Sequence, residues 1–235
     1  MRTLKFLTMA LLSGLLVLSC DSTSTKKSND FSKGAVDSVS KYIGYSLASM
    51  VKQSDFGALN HRVVMKAYKE MMARTEDPTQ DEMMEWNNEI TSYMQKKSMM
   101  EGERNLEEGM AFLEENKDRE GVITLPSGLQ YKVIREGSDV RAKETDTVEV
   151  HYVGTLIDGT EFDSSYSRNE PAKFPLNRVI PAWTEGMQLV GEGGKIILYV
   201  PSNLGYGENG AGGIIGPNST LIFEVEVNKI FPVVE

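Results

Sequence analysis

Apolar residues along the chain change their spacing near residue 120. Between residues 33 and 117 they recur every three or four positions, the period of a helix that buries one face. Val36, Val39, Ile43, Leu47, Met50 and Val51 predict a first helix, which Asp55-Phe56-Gly57 interrupts. Leu59, Val63, Val64, Ala67, Tyr68, Met71 and Met72 predict a second, closed by Asp77-Pro78. Thr79-Gln80-Asp81-Glu82 then has the form of a capping box, in which hydroxyl and carboxylate satisfy the first free N–H groups of a helix. Nothing stops this third helix before Asn116, so it extends about 57 Å at roughly 1.5 Å per residue. Gly102 and Gly109 soften it without breaking it. Its stripe of Met83, Trp86, Ile90 and Met94 is too long for two short helices to cover. Either a second subunit covers it, or part of the helix is a free rod between domains.

Beyond Gly121 the period falls to two. Leu129, Tyr131 and Val133 alternate with Gln130, Lys132 and Ile134, and Val148, Val150 and Tyr152 with Glu149, His151 and Val153. Leu221, Phe223, Val225 and Val227 alternate with Ile222, Glu224, Glu226 and Asn228. These are antiparallel strands with one buried face. Asp158-Gly159 between Leu156 and Phe162 signals a hairpin. Pro181 to Val190 is the one short helix of this half, with Trp183, Met187 and Val190 at helical spacing. The predicted fold class is α+β: an all-helical N-terminal region with a long connecting helix, then a twisted antiparallel sheet wrapped on one short helix.

Composition narrows the function. The 235 residues carry 25 Lys and Arg against 34 Asp and Glu, a net charge of −9, and 40% are hydrophobic. That excludes wholesale disorder and argues against nucleic acid or anionic headgroups as partners. One Cys excludes an internal disulfide framework, and with two His it leaves no ligand set for a metal centre. Ten of the 13 Met lie between Met50 and Met110. They make adaptable apolar surface, for which packing in a helical core or dimer seam is the simpler account and promiscuous binding the other.

Residues 1–19 read as an export signal: Arg2 and Lys5, an apolar run from Phe6 to Leu18, then Ser19. The run is short for a membrane-spanning helix. Leu16-Val17-Leu18-Ser19-Cys20 resembles a lipobox, which makes Cys20 the diacylated first residue of the mature chain; a plain secretory signal with a chance cysteine is the alternative. Acyl chains supply a membrane affinity that an acidic body cannot. Polar residues after Cys20, up to Asp30, form a tether. The expected location is the bacterial cell envelope, lipid-anchored, periplasmic or at the outer membrane.

No nucleophile elbow and no phosphate-binding glycine loop is present. His61 reads as a surface helical residue and His151 as a strand residue supporting the sheet. What stands out is the density of aromatic residues: Tyr152, Phe162, Phe174, Trp183, Tyr206 and Phe223. Val179, Ile180, Ile214 and Ile215 accompany them, with a single acid, Asp163. Such a hollow is a ligand pocket or a core, and composition leaves both open.

The order of these residues is more specific. Val148-x-Val150-His151-Tyr152-x-Gly154-x-Leu156-x-Asp158-Gly159-x-x-Phe162-Asp163-Ser164-Ser165 resembles the signature of the FKBP-type peptidyl-prolyl isomerases. The likeness continues through Arg168-x-x-Pro171, Val179-Ile180-x-x-Trp183-x-Glu185-Gly186, Tyr206-Gly207, Gly213-Ile214-Ile215 and Leu221-x-Phe223-x-Val225-Glu226-Val227. Helices ahead of Ser127-Gly128-Leu129-Gln130-Tyr131 are similar to the two-domain bacterial branch that includes the macrophage infectivity potentiator proteins.

This resemblance implies a helical dimerisation domain over 31–118 and an isomerase domain over 119–235. It implies that Trp183 is the pocket floor, that Tyr152, Phe162 and Phe223 are walls, and that Val179, Ile180, Ile214 and Ile215 complete the lining. The Ile180 N–H and the Tyr206 hydroxyl would hold substrate carbonyls. Asp163 would sit beside the twisting amide, oriented by Tyr152 and Arg168. Implied partners are proline-containing client proteins, a second copy of the chain through its N-terminal helices, a membrane through lipid on Cys20, and macrolides of the FK506 and rapamycin type. Neither cofactor nor metal is expected. Ala172 stands where an aromatic is frequent, which trims one wall, and Gly216 follows Ile215 where proline is common, which predicts a more mobile loop. The second reading is a chaperone or binding module with weak isomerase activity, working through the helical groove.

Overall fold

Residues 32–233 are described by the computed structural model; the export signal, Cys20 and the tether up to Asp30 lie outside them. The chain divides into two units between Met71 and Met72. In the first, α1 (Lys33–Gln53) starts at Ser32, whose hydroxyl accepts from the Ala35 N–H at 3.3 Å. Asp55 and Gly57, with φ of 46° and 73°, turn the chain after it. α2 (His61–Ala73) begins two residues beyond Leu59 because Asn60 caps it, accepting from the Arg62 and Val63 N–H groups at 3.1 and 3.3 Å. Neither helix contains a buried residue. Ile43, Leu47, Val64 and Tyr68 instead line an open apolar cleft of about 740 Å³.

The second unit begins with the end of α2 and contains α3 (Gln80–Asn116), whose capping box forms as expected: Thr79 accepts from the Glu82 N–H, and Glu82 accepts from the Thr79 N–H at 2.9 Å. Met83, Trp86 and Ile90 on its first half are 41%, 42% and 48% exposed, so the described residues leave this part of the stripe uncovered. The second half differs from expectation. Gly102 and Gly109 are not soft points but places of close approach: a Cβ at Gly109 would lie 2.1 Å from Thr220 Oγ1, and one at Gly102 would lie 3.1 Å from Pro217 Cβ. Asn116, fully buried, donates to Gln130 at 2.9 Å, and Gln130 donates to the Leu113 carbonyl at 2.8 Å. α3 therefore belongs with the sheet along its last turns.

Seven strands follow: β1 (Ile123–Thr124), β2 (Gln130–Arg135), β3 (Thr147–Leu156), β4 (Glu161–Ser164), β5 (Ala172–Pro175), β6 (Lys195–Val200) and β7 (Leu221–Phe231). They form one antiparallel sheet in the order β1-β2-β6-β7-β3-β4, with β5 paired to the first half of β3 and β4 to its second half. The expected hairpin closes at Gly159, φ 87°, with Asp158 accepting from the Thr160 N–H. Alternation holds in β3 and β7, where Val148, Val150, Leu221, Val225 and Val227 are fully buried. Each such side chain contributes about 1.5–3 kcal/mol. α4 (Pro181–Gly186) covers this face and is shorter than the predicted 181–190 helix. Gly186 packs so tightly on Leu198 that a Cβ would come within 2.7 Å, and the chain turns there, burying Met187 and Val190 from a loop.

Candidate active site

The cleft is built where β3, β4, β5 and β7 meet α4, and it encloses about 620 Å³. Pro181 opens α4 at a position where a missing N–H costs nothing, and two residues on Trp183 points into the sheet, 4% exposed. Three rings stand edge-on to its indole: Tyr152 at 5.2 Å, Phe174 at 5.4 Å and Phe223 at 5.4 Å, with interplanar angles of 87°, 89° and 84°. That is the arrangement the ring quadrupoles favour. Phe162 meets Phe223 in the same manner at 5.5 Å. Gly154 makes that contact possible. It faces Phe223 across the β3–β7 ladder, and a Cβ there would lie 2.5 Å from Phe162 Cε2.

Polar groups are few and differ in kind. Trp183 Nε1 is buried without an acceptor, and the Ile180 N–H finds none among the described residues. At the rim, the Tyr152 hydroxyl donates to Asp163, Arg168 donates to Asp163 Oδ1 at 2.5 Å, and Arg168 also donates to the Tyr152 hydroxyl at 2.9 Å. Burial pushes the Asp163 carboxyl up, but the Tyr152 hydroxyl and the Arg168 guanidinium outweigh it and hold it below the usual carboxylate range. Burial, and then the hydrogen bond to Asp163, push Tyr152 up to about 12. Burial, and then the Asp163 charge, raise Tyr206, which stands at the rim 39% exposed. Asp163 is therefore an anion and both tyrosines are neutral at neutral pH.

Ten of the eleven residues singled out for the pocket line it: Tyr152, Phe162, Asp163, Val179, Ile180, Trp183, Tyr206, Ile214, Ile215 and Phe223. Arg168 does not. Its guanidinium is engaged at the rim by Asp163 and the Tyr152 hydroxyl. Phe174, Arg178, Ala211 and Gly212 also line the cleft, and the last three were not assigned to it. Phe174 is one of the aromatics already noted in the sequence, and its place follows from β5 pairing with β3, where it lies opposite Val148. His151 lies outside, stacked on Tyr166 at 4.7 Å with Nδ1 3.0 Å from Ser165 Oγ. Among the described residues no group of three or more His, Cys, Asp or Glu is placed to hold a metal ion.

Residues 138–228 match the family model described as FKBP-type peptidyl-prolyl cis-trans isomerase, and residues 36–133 match the domain amino terminal to it. The chain belongs to the FKBP-type peptidyl-prolyl cis-trans isomerases. It is 44% identical over 197 residues to the probable FKBP-type isomerase FkpA of Neisseria meningitidis serogroup B, covering 80% of this chain and 70% of that protein. It is 37% identical over 199 residues to the outer membrane protein MIP of Legionella longbeachae, covering 83% and 85%. The crystal structure of FkpA from Escherichia coli superposes with a TM-score of 0.71 at 34% identity, covering 88% of this chain and 99% of that one.

An FKBP-type isomerase rotates a peptide bond without making or breaking one. The missing nucleophile and phosphate motifs are thus no deficit.

Proposed function

We propose that this isomerase acts on X–Pro bonds of exported proteins in the cell envelope, as a homodimer held to a membrane through acylated Cys20. The observation that carries the site assignment is Trp183 at the cleft floor, ringed by three aromatic side chains with its Nε1–H unpaired. A proline ring packs on that floor, which fixes one end of the amide while the other turns. Rotation faces a barrier of about 18–20 kcal/mol, because the planar amide is held by resonance that places negative charge on oxygen. The twisted state has lost that resonance and is less dipolar. An apolar cleft therefore disfavours the planar form more, and lowering the barrier by about 5 kcal/mol gives roughly 10⁴-fold. Asp163, Trp183 and Tyr206 are the groups assigned to the reacting amide. The Ile180 N–H and the Tyr206 hydroxyl hold the flanking carbonyls, and Arg168 orients Asp163. Macrolides of the FK506 and rapamycin type fit the same apolar lining.

The helices support the dimer. α1 and α2 bury none of their own residues yet line an apolar cleft, a surface that a second copy would cover. Two cleft-bearing arms hold one unfolded chain at an effective concentration of about mM. The Legionella relative, an outer membrane protein by name, supports an envelope location. The exposed Met83, Trp86 and Ile90 favour a second reading, in which the helical surface also holds clients independently of isomerisation.

The test uses residues 21–235 beside the full chain. The truncated chain accelerates proline isomerisation in a protease-free assay, scatters light as a dimer and stays in the aqueous phase. The full chain produced in bacteria carries an acyl mass that Cys20→Ser removes. A folded chain without isomerase activity refutes the site. A monomer refutes the arms, and absence of acyl mass refutes the anchor.

A further inference from the structure

The connection from β6 to β7, residues 201–220, carries Tyr206, Ile214 and Ile215 to the cleft. Its backbone has unusual freedom: Gly207, Gly210, Gly212 and Gly213 take φ of 57°, 58°, 62° and 77°. Ordering such a segment costs about 1–2 kcal/mol per residue. Within it, Ala211 and Ile215 form an antiparallel bridge and the Asn218 N–H donates to the Gly207 carbonyl at 2.8 Å. The Ser219 hydroxyl donates to the Gly216 carbonyl at 2.9 Å, and Ile215 is buried in the core. A further hold comes from outside, from α3. Asn105 Nδ2 donates to the Pro217 carbonyl at 2.8 Å, and Asn218 Nδ2 reaches the Gly102 carbonyl at 3.4 Å.

The packing is shaped around these bonds. Gly102 and Gly109 bring the helix backbone against Pro217 and Thr220. At Gly216, where proline was the expected residue, a Cβ would lie 3.0 Å from Asn105 Nδ2. Glycine there admits the amide, and a segment expected to be loose is tied to a helix. The helix itself is a fixed post, because Asn116 and Gln130, both buried, lock its end to β2.

We propose that Asn105 is a positioning residue of the isomerase: α3, through Asn105 and the Pro217 carbonyl, clamps the Ile214–Ile215 lip of the cleft in its binding conformation. The long helix is then a working part of the substrate site and not merely a spacer. The inference rests on the aromatic cleft being the isomerase site. Asn105 acts through the lip, so its loss lowers the fraction of molecules with a competent cleft and weakens binding by that fraction. The rotation step on bound substrate is unaffected.

Two variants test this in the chain 21–235. Asn105→Asp keeps the shape and removes the donor; Asn105→Ala removes both. Glu107→Gln, exposed on the same helix, is the control. Isomerisation of a prolyl tetrapeptide, followed by NMR line shape, loses about five-fold in kcat/KM in both Asn105 variants, through KM with kcat unchanged. Amide exchange speeds up at Ala211, Ile215 and Asn218 while β3, β7 and the Tm hold, and Glu107→Gln behaves as wild type. An unchanged KM overturns the clamp. So does exchange that rises equally across β3 and β7, since Asn105 would then be only a stability residue. A folded wild-type chain without activity overturns the cleft reading and the clamp with it, whereas active wild type with unaltered variants overturns the clamp alone.

Discussion

Replacing Asp163 by alanine separates the chemistry of the cleft from its packing. Its side chain is 43% exposed, so little apolar contact is lost. The ion pair with Arg168 is similarly exposed and contributes about 0–1 kcal/mol. The Tyr152 hydroxyl keeps Arg168 as a donor to it but loses its own acceptor, at a cost of about 1 kcal/mol. The sum, about 1–2 kcal/mol, shifts Tm by about 2–8 °C for a chain of this size. Catalysis loses a comparable free energy by a separate route. The planar amide carries more negative charge on oxygen than the twisted one, so a nearby carboxylate raises the ground state relative to the transition state. At about 4 Å and an effective dielectric of about 20, a unit charge interacts at about 4 kcal/mol, and a change of roughly a quarter charge on the amide makes about 1 kcal/mol. That is about five- to tenfold in kcat/KM. Asp163→Asn keeps the size and an acceptor, so it shows the same activity loss with a smaller Tm shift. Protease-free isomerisation and thermal unfolding on the three proteins read both quantities. Full activity in either variant refutes the electrostatic role. A Tm fall beyond about 10 °C shows that Asp163 is a structural residue, and the separation from packing fails.

Gly154→Ala drives a methyl into the Phe162 ring, so it costs about 1–3 kcal/mol by thermal unfolding and also lowers kcat/KM by parting Phe162 from Phe223. Gly109→Val pushes α3 off Thr220 and costs a similar amount, about 1–3 kcal/mol in urea unfolding, with the isomerase cleft weakened through its lip. The pH dependence follows from two groups. Asp163, held below its unfolded value, stabilises the fold above about pH 4 and ceases to as pH falls through its folded value, so activity is level from about pH 6 to 8. Tyr152, raised from 10.0 to about 12, stabilises fully below pH 10.0 and loses that contribution as pH rises through about 12; a pH series of unfolding midpoints shows the alkaline decline.

The helices were legible because their sequences carry local signals: the Thr79–Glu82 capping box and the Asp55–Gly57 break both operate as read. β3 and β7 were legible because each buries one face. β6 was missed for the opposite reason. Lys195-Ile196-Ile197-Leu198-Tyr199-Val200 is a nearly continuous apolar run, since α3 half-covers its second face, with Phe112 set 6.1 Å from Tyr199. A period-two test does not detect such a strand. The same hidden contact explains Gly102 and Gly109, which read as helix-weakening residues until Thr220 and Pro217 lie against them. At the site, the ordered aromatic string was enough to assemble the cleft. Arg178, Ala211 and Gly212 depend on loop geometry, which the local sequence does not encode.

The most direct measurement exploits the two tryptophans of the chain. Trp86 is 42% exposed on α3, while Trp183 is 4% exposed at the cleft floor with its Nε1–H unpaired. Nitrogen-15 labelling gives one indole N–H signal for each. On addition of a prolyl tetrapeptide, the account predicts that the Trp183 signal moves and saturates, that the Trp86 signal stays, and that cis and trans peptide resonances enter exchange over the same titration. A moving Trp86 with a stationary Trp183, while the peptide is being isomerised, contradicts it.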